Sequence, residues 1–175
     1  MKTRRFVAVT VGVMALSVGL VLTAGCAGQD NHTLRWDTNN PSASRFTTAF
    51  PGAVLDKNTG LVWEQAPDAA TTNSWFNATA GCVGKNVGGT VGWRLPSVVE
   101  LKSVQDPSLP PPFVPASVFT GVQSDFYWSA STFAEAPTLA WVVGFGLGGS
   151  VPGQSKTLIF FRAWCVRGGM NPDQY

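Results

Sequence analysis

The sequence predicts an α+β domain with an antiparallel sheet. Two strand-like segments come first, two helix-like segments follow, and three strand-like segments come after a long proline-rich connection. Strands and helices that are grouped in this way, instead of alternating, favour antiparallel pairing. With 175 residues, of which 45% are hydrophobic and 13% charged, the chain can form one domain with a substantial core.

The N-terminus has the features of an export signal. Lys2, Arg4 and Arg5 precede an uncharged run over residues 6–25, and a basic start followed by an apolar run is typical of such signals. These three side chains also account for the net charge of +2, because acidic residues slightly outnumber basic ones in the rest of the chain. The charge therefore predicts no nucleic-acid partner.

The apolar run ends in Leu22-Thr23-Ala24-Gly25-Cys26, which resembles the lipobox of bacterial lipoproteins, where cleavage precedes a cysteine that then carries lipid. We predict a signal peptide over residues 1–25, lipid on Cys26, and a flexible polar tether over residues 26–44. Localisation would then be the cell envelope, with the lipid in the outer membrane. An uncleaved spanning anchor and cleavage near Ala27 are the alternatives, and both also place the domain outside the cytoplasm.

The domain is predicted over residues 45–170, with a short tail over residues 171–175. Ala53–Asp56 and Leu61–Glu64 predict a hairpin, because the Lys57-Asn58-Thr59-Gly60 segment between them supplies residues that adopt positive φ. A helix follows over Ser74–Cys82, capped by Asn73 or Ser74. Its Trp75, Thr79 and Cys82 share one face, which should point into the core.

The segment from Trp93 to Glu100 predicts an extended chain that turns into a second helix, over Val98–Gln105. Ser97 and Glu100 have the spacing of a capping box, in which each side chain accepts a hydrogen bond from the other residue's backbone N–H. Pro96 blocks helix before the cap. The five prolines between Asp106 and Pro115 then predict an irregular connection.

Three strands are predicted in the last third of the chain, over Phe126–Ser131, Thr138–Phe145 and Leu158–Arg167. Both alternating faces of the third are apolar, which predicts a central strand covered on two sides. Gly146–Gly153, between the second and third strands, predicts a flexible hairpin loop.

The three cysteines predict one disulfide. If Cys26 carries lipid, Cys82 and Cys165 remain as a pair in an oxidising compartment and should be bridged. Two buried thiols, or one reactive cysteine, are the alternatives. A reactive cysteine needs a nearby base, and the only histidine, His32, precedes the domain, so cysteine catalysis is not favoured.

Five motifs occur in order along residues 45–170: Val54-Leu55-Asp56-Lys57-Asn58-Thr59-Gly60-Leu61-Val62-Trp63; Trp75 with Ala78 and Cys82; Gly92-Trp93-Arg94-Leu95-Pro96-Ser97 with Glu100-Leu101; Tyr127-Trp128-Ser129-Ala130-Ser131; and Cys165-Val166-Arg167-Gly168-Gly169. Together they resemble the Lcl C-terminal domain family, named after a bacterial collagen-like adhesin. The resemblance implies a C-type-lectin-like fold, with a twisted antiparallel sheet flanked by two helices and a long irregular loop region. It also implies a relation in architecture to formylglycine-generating enzymes, and non-catalytic adhesion to glycans or sulfated polysaccharide.

The residues in these motifs are better suited to structural roles than to catalysis. No catalytic residue, metal site or cofactor is predicted, because the acidic residues are scattered and no cysteine pair is left for formylglycine-type chemistry. Arg94 and Arg167 could hold an anion, but pairing with Glu100 or a backbone carbonyl is favoured. The residues assigned to the scaffold are Trp63, Trp93, Arg94, Pro96, Ser97, Glu100, Trp128 and Arg167.

Phe126 and Tyr127 are the predicted binding surface, because aromatic residues next to a scaffolded loop favour recognition. The leading hypothesis is a membrane-anchored lipoprotein whose non-enzymatic domain binds a glycan. The alternative is a structural or assembly lipoprotein that binds an envelope protein. An enzyme on the formylglycine-generating scaffold is the third hypothesis.

Overall fold

The computed structural model describes residues 42–147 and 149–169. The predicted signal peptide, Cys26, most of the tether and the tail over residues 171–175 lie outside these residues. Within the described ranges, none of the helices has the length and hydropathy needed to cross a membrane.

The described residues form three helices and seven strands. Their bounds, in chain order, are α1 Ser42–Arg45, β1 Phe46–Phe50, β2 Ala53–Asp56, β3 Val62–Glu64, α2 Trp75–Val83, α3 Val98–Val104, β4 Phe126–Thr132, β5 Leu139–Gly144, β6 Ser150–Ser155 and β7 Val166–Arg167.

All strand pairs are antiparallel, and they form two sheets. The larger sheet has the order β1-β2-β3-β7 and the smaller one the order β4-β5-β6. The predicted α+β class is confirmed, although the strands are divided between two sheets. The C-type-lectin-like detail stays a prediction.

The predicted hairpin is β2 and β3, with Val54 opposite Trp63. Gly60 has φ +74°, the positive value that the turn requires. Asp56 is buried at the turn and accepts bonds from Arg45 Nε at 2.8 Å and Nη2 at 2.6 Å. Strand β1 was not predicted, because three consecutive exposed residues, 47–49, remove the alternation that marks a half-buried strand.

The sheets separate two clusters of buried side chains. The first core contains Trp63, Tyr127 and Trp164, and the second core contains Trp93 and Trp128. Tyr127 and Trp128 are neighbours in β4 but belong to different cores, because successive side chains of a strand point to opposite faces. The smaller sheet is therefore covered on both sides.

The predicted strand over Leu158–Arg167 is wrong for most of its length. Only Val166–Arg167 forms a strand, whereas the segment predicted as a hairpin loop contains the start of β6. The chain before β7 makes isolated bridges from Phe161 to Asn73 and from Arg162 to Tyr127. This segment forms hydrogen bonds with single residues of other segments. Within the described ranges it has no continuous partner strand, so the alternating apolar pattern did not lead to a β-ladder.

Cys82 and Cys165 form the predicted disulfide, with their Cα atoms 5.4 Å apart. The bond joins α2 to the chain just before β7, and both cysteines are buried in the second core. Helix α2 begins as predicted after Ser74, whose side chain accepts a hydrogen bond from the Asn77 N–H.

Candidate functional site

The corner from Trp93 to Glu100 positions the remaining elements. Arg94 donates from Nη1 to Glu100 Oε2 at 2.8 Å and from Nη2 to Glu100 Oε1 at 2.7 Å. Both bonds of the capping box are formed, from Ser97 N to Glu100 Oε2 at 2.8 Å and from Glu100 N to Ser97 Oγ at 3.1 Å. Because the Glu100 carboxylate is 1% exposed and accepts three bonds, the corner is a satisfied buried network.

The corner is also bonded to both sheets. Arg94 exchanges backbone hydrogen bonds with Val166 of β7, and the Pro96 carbonyl accepts from Ala130 N of β4 at 2.7 Å. Arg167 donates from Nε to the Val91 carbonyl at 2.9 Å. The predicted pairing of both arginines with protein groups is therefore confirmed. The predicted scaffold residues Trp63, Trp93 and Trp128 are buried.

Half of the basic residues in the described ranges are paired with carboxylates. Four pairs have nitrogen and oxygen atoms within 2.9 Å of each other: Arg45–Asp56, Lys85–Glu64, Arg94–Glu100 and Arg162–Asp125. The loop surface over residues 106–126 and 149–156 has one basic residue, Lys156, which is 9% exposed. Its Nζ lies 4.2 Å from the centre of the Trp75 ring, and burial lowers its pKa. Within these described loop residues the basic charge is limited to Lys156, and Lys102 of α3 borders the loop in a cleft of about 130 Å³ with Pro107 and Phe113.

The prediction that Tyr127 lies on a binding surface is wrong. Its side chain is fully buried in the first core, and its hydroxyl oxygen accepts a hydrogen bond from Gln123 N at 2.7 Å. Burial raises the pKa of the Tyr127 hydroxyl to about 12. Tyr127 is one residue along β4 from Phe126 and points to the opposite face, away from the clefts described next.

Phe126 lies between two apolar clefts. One, of about 430 Å³, is lined by Ser124, Asp125, Phe126, Gly146 and Leu147. The other, of about 120 Å³, is lined by Phe126, Val142, Gln154 and Phe161. Phe126 is therefore the residue that the two clefts share.

Three large apolar side chains that line these clefts or lie near them in the chain are exposed. Leu147, which lines the larger cleft, is 83% exposed, and Ile159 and Phe160, which directly precede the cleft residue Phe161, are 58% and 66% exposed. We call Phe126 and Phe161 together with Leu147, Ile159 and Phe160 the Phe126 surface. Large apolar side chains that stay exposed beside apolar clefts are typical of an interaction site.

The loop that carries Ile159 and Phe160 is fixed at both ends. The Lys156 carbonyl accepts from Trp75 N at 3.0 Å, and the Phe161 carbonyl accepts from Asn73 N at 2.8 Å. The Phe161 ring packs edge-on against Trp128, with centroids 4.8 Å apart. Two large apolar side chains are thus held toward solvent by a loop whose ends are bonded to the start of α2.

Two glycines allow the Phe126 ring and its neighbours to approach the backbone. A Cβ at Gly144 would lie 2.9 Å from Phe126 Cε1, and a Cβ at Gly146 would lie 3.0 Å from the Ser124 carbonyl oxygen. Contacts this short exclude a side chain without local movement. The shape of the clefts therefore depends on glycine at these positions.

Sequence reasoning found Phe126 but missed Leu147, Ile159 and Phe160. Ile159 and Phe160 were assigned to a strand covered on two sides, and Leu147 to a loop defined only by its glycines. The usable signal was a run of large apolar residues, Leu158, Ile159 and Phe160, immediately after the polar Gln-Ser-Lys-Thr segment over residues 154–157.

The chemistry of the Phe126 surface is that of apolar contact. Asp125 is the only titratable residue among those that line its clefts, and it is bonded to Arg162 Nε at 2.9 Å. Among the residues with described coordinates, histidine, cysteine and acidic side chains form no group of three or more that could hold a metal ion.

A family model described as the Lcl C-terminal domain matches residues 52–167 of the chain. This range begins just before β2 and ends with β7, so it contains the corner, the disulfide and the Phe126 surface. No curated protein matches the chain.

Proposed function

Because the chain belongs to the Lcl C-terminal domain family, we propose that it is an exported lipoprotein whose folded domain binds a partner and catalyses no reaction. Lipid on Cys26 holds it at the cell envelope, and the polar tether separates the domain from the bilayer. The export signal and the lipobox-like sequence before Cys26 support the anchor. The Phe126 surface supports binding.

The observation that carries the proposal is Phe160, 66% exposed on a loop bonded at both ends. Burying a Leu, Ile or Phe side chain stabilises a complex by roughly 1.5–3 kcal/mol. Leu147, Ile159 and Phe160 together can therefore account for most of a moderate affinity. Since the loop is already ordered, little conformational entropy is lost on binding.

The partner that this surface favours is a protein with an apolar patch of its own. Sulfated polysaccharide is bound through fixed cations, and the Phe126 surface has none among its described residues, because Arg162 is paired with Asp125. Asp125 lines the larger cleft, and its charge is balanced by the same Arg162. The domain thus acts as an assembly or adhesion module that recognises an envelope or surface protein.

The test compares binding by the wild-type protein, purified from membranes, with that of Phe160→Ser and Leu147→Ser. The partner is first crosslinked and identified, and its affinity is then measured. We expect each variant to weaken binding by about tenfold, since 1.4 kcal/mol corresponds to that factor. Val91→Ser is the matched control, because Val91 is 61% exposed but lines neither cleft.

Two outcomes would contradict the proposal. Binding to sulfated polysaccharide that falls steeply with salt and is unchanged in Phe160→Ser would show recognition through charge at another surface. Mass spectrometry of the same preparation tests the anchor, and an intact N-terminus with unmodified Cys26 would overturn it.

A further inference from the structure

A polar cleft of about 210 Å³ lies over the disulfide and shares no lining residue with the Phe126 surface. Its floor contains the disulfide together with Ala78 and Ala163. Its rim is polar on the side of the loop before α2 and on the side of α2 itself. The rim residues are Asp68, Thr71, Asn73, Asn77, Gly81 and Lys85.

The rim offers two side-chain amides that the fold does not use and one carboxylate that the fold keeps ionised. The side-chain amides of Asn73 and Asn77 bond no other residue in the described part of the chain, where only their backbone groups are engaged. Hydrogen bonds from the Thr71 side chain and the Ala70 N–H lower the pKa of the Asp68 carboxyl. Asp68 is therefore an ionised acceptor at neutral pH.

A buried carboxylate that is paired with the rim residue Lys85 also has an oxygen without a donor in the described part of the chain. Glu64 is 7% exposed, and its Oε1 accepts from Lys85 Nζ at 2.6 Å. Its backbone N–H bonds the carbonyl of Cys165, a floor residue, at 3.1 Å. Its Oε2 is buried and has no hydrogen-bond partner among the described residues. A buried polar atom without a partner is uncommon and calls for an explanation.

Gly81 lines the cleft without a side chain. It lies in the last turn of α2, and a Cβ built there would meet no atom within 4 Å. Packing therefore does not require glycine at this position, and neither does the backbone, because Gly81 has no positive φ. Glycine in a helix costs roughly 0.5–1 kcal/mol relative to alanine. Glycine at position 81 therefore lowers the stability of α2, and packing in the fold gives no reason for it.

We propose that this cleft binds a small neutral ligand rich in hydroxyl groups, such as one sugar unit. A hydroxyl both donates and accepts, so it can satisfy Asp68 and the two amides at once. Lys85 is bonded to Glu64, and its charge also helps to lower the pKa of Asp68, so the rim has no unopposed cation and an anion is disfavoured. Ligand pockets for drug-sized molecules are about 300–1,000 Å³, so this smaller cleft suits a single ring.

The site is independent of the proposed function, because neither its residues nor its chemistry overlap with the Phe126 surface. A protein could bind a partner through Phe160 without any ligand over the disulfide, and the reverse also holds. The two proposals can therefore fail separately.

The experiment titrates the oxidised full-length protein with glucose, galactose, mannose and N-acetylglucosamine, and follows backbone amide shifts by NMR. We expect at least one of these sugars to bind with millimolar affinity and to shift Asn73, Asn77 and Gly81. Gly81→Leu should fill the cleft and weaken binding by about tenfold or more, whereas Gly81→Ala should change it far less. Both variants favour helix, so their thermal unfolding temperatures should equal or exceed that of the wild type.

Three results would overturn the proposal: no shift at these amides with any of the four sugars, binding in Gly81→Leu equal to that in the wild type, or binding of glucosamine or glucose 6-sulfate alone. Phe160→Ser serves as a second control and should bind the sugar as the wild type does. Loss of sugar binding in Phe160→Ser would place the ligand at the Phe126 surface and not over the disulfide.

Discussion

The Tyr127 hydroxyl is a buried acid that the fold holds in its neutral form. The ring contacts Phe145 and Trp164, with centroids 5.1 Å and 6.2 Å away, and its hydroxyl accepts one bond from the Gln123 N–H. Ionisation would place a negative charge in this apolar surrounding, which explains why the pKa rises from the ordinary 10.0 to about 12.

This shift predicts a loss of stability in alkali. Between pH 10 and 12 the folded state keeps the Tyr127 proton while the unfolded state loses it, so stability falls as pH rises. A shift of about two units corresponds to roughly 3 kcal/mol. Urea unfolding at increasing pH should show this decline in the wild type and a smaller one in Tyr127→Phe.

The comparison isolates Tyr127, since Lys156, whose lowered pKa acts in the opposite direction, titrates in both proteins. At neutral pH Tyr127→Phe should cost about 1 kcal/mol, because the Gln123 N–H loses its acceptor. An equal alkaline decline in the two proteins would assign the effect to other groups.

At the scale of single residues, local chemistry was predictable and exposure was not. The Arg94 pairing followed from a guanidinium and a carboxylate six residues apart around a corner. The burial of Tyr127 depended on which face of β4 meets the first core, and the Phe-Tyr-Trp sequence over residues 126–128 is apolar on both faces. Only tertiary packing decides between the faces.

The elements that the sequence predicted well are those with complete local signals. Helix α3 begins at Val98 because Ser97 and Glu100 satisfy each other's backbone N–H, and the β2–β3 hairpin forms around a turn with Gly60 at positive φ. Strand β6 contains Pro152 and Gly153, residues that are rare inside strands, and the sequence therefore predicted a loop there. Its pairing with β5 is a tertiary effect.

The capping box gives a prediction for the corner. Ser97 is fully buried, and Ser97→Ala removes the acceptor of the Glu100 N–H, so the variant should lose about 1 kcal/mol of stability. Partner affinity at the Phe126 surface should be unchanged, because no corner residue lines its clefts. Denaturant unfolding and the affinity of the folded variant are the measurements.

Asp68→Ala is the matched control for Ser97→Ala, because Asp68 is exposed and accepts a bond from the Ala70 N–H outside any helix. Its cost in stability should be smaller, since water can replace a bond made at the surface. A stably folded Ser97→Ala protein that no longer bound its partner would show that the corner takes part in recognition.

The described part of the molecule has two cores divided by two sheets, and the disulfide is the covalent link between distant parts of the second core. Cys82 and Cys165 are separated by 83 residues in sequence, and the corner, the irregular connection and the smaller sheet all lie between them. Closing a loop of this length restricts the unfolded chain considerably.

Breaking the disulfide should therefore be the most destabilising of the changes considered. The double variant Cys82→Ser, Cys165→Ser should lose about 4–5 kcal/mol, the value that chain entropy gives for such a loop. Urea unfolding of this variant and of the oxidised wild type measures the difference. Thiol counting on the unreduced wild type is the control, and free thiols at Cys82 and Cys165 would contradict the bond itself.

The position of the disulfide also determines how the domain would carry mechanical load. A pull that enters at Arg45 and is resisted by a partner on Phe160 can follow the chain to Cys82, cross the disulfide, and return from Cys165 to Phe160. The covalent path bypasses α3, β4, β5 and β6, so tension cannot extend them. The elements that lie on the loaded path would be β1, β2, β3 and most of α2, because they stand between Arg45 and Cys82.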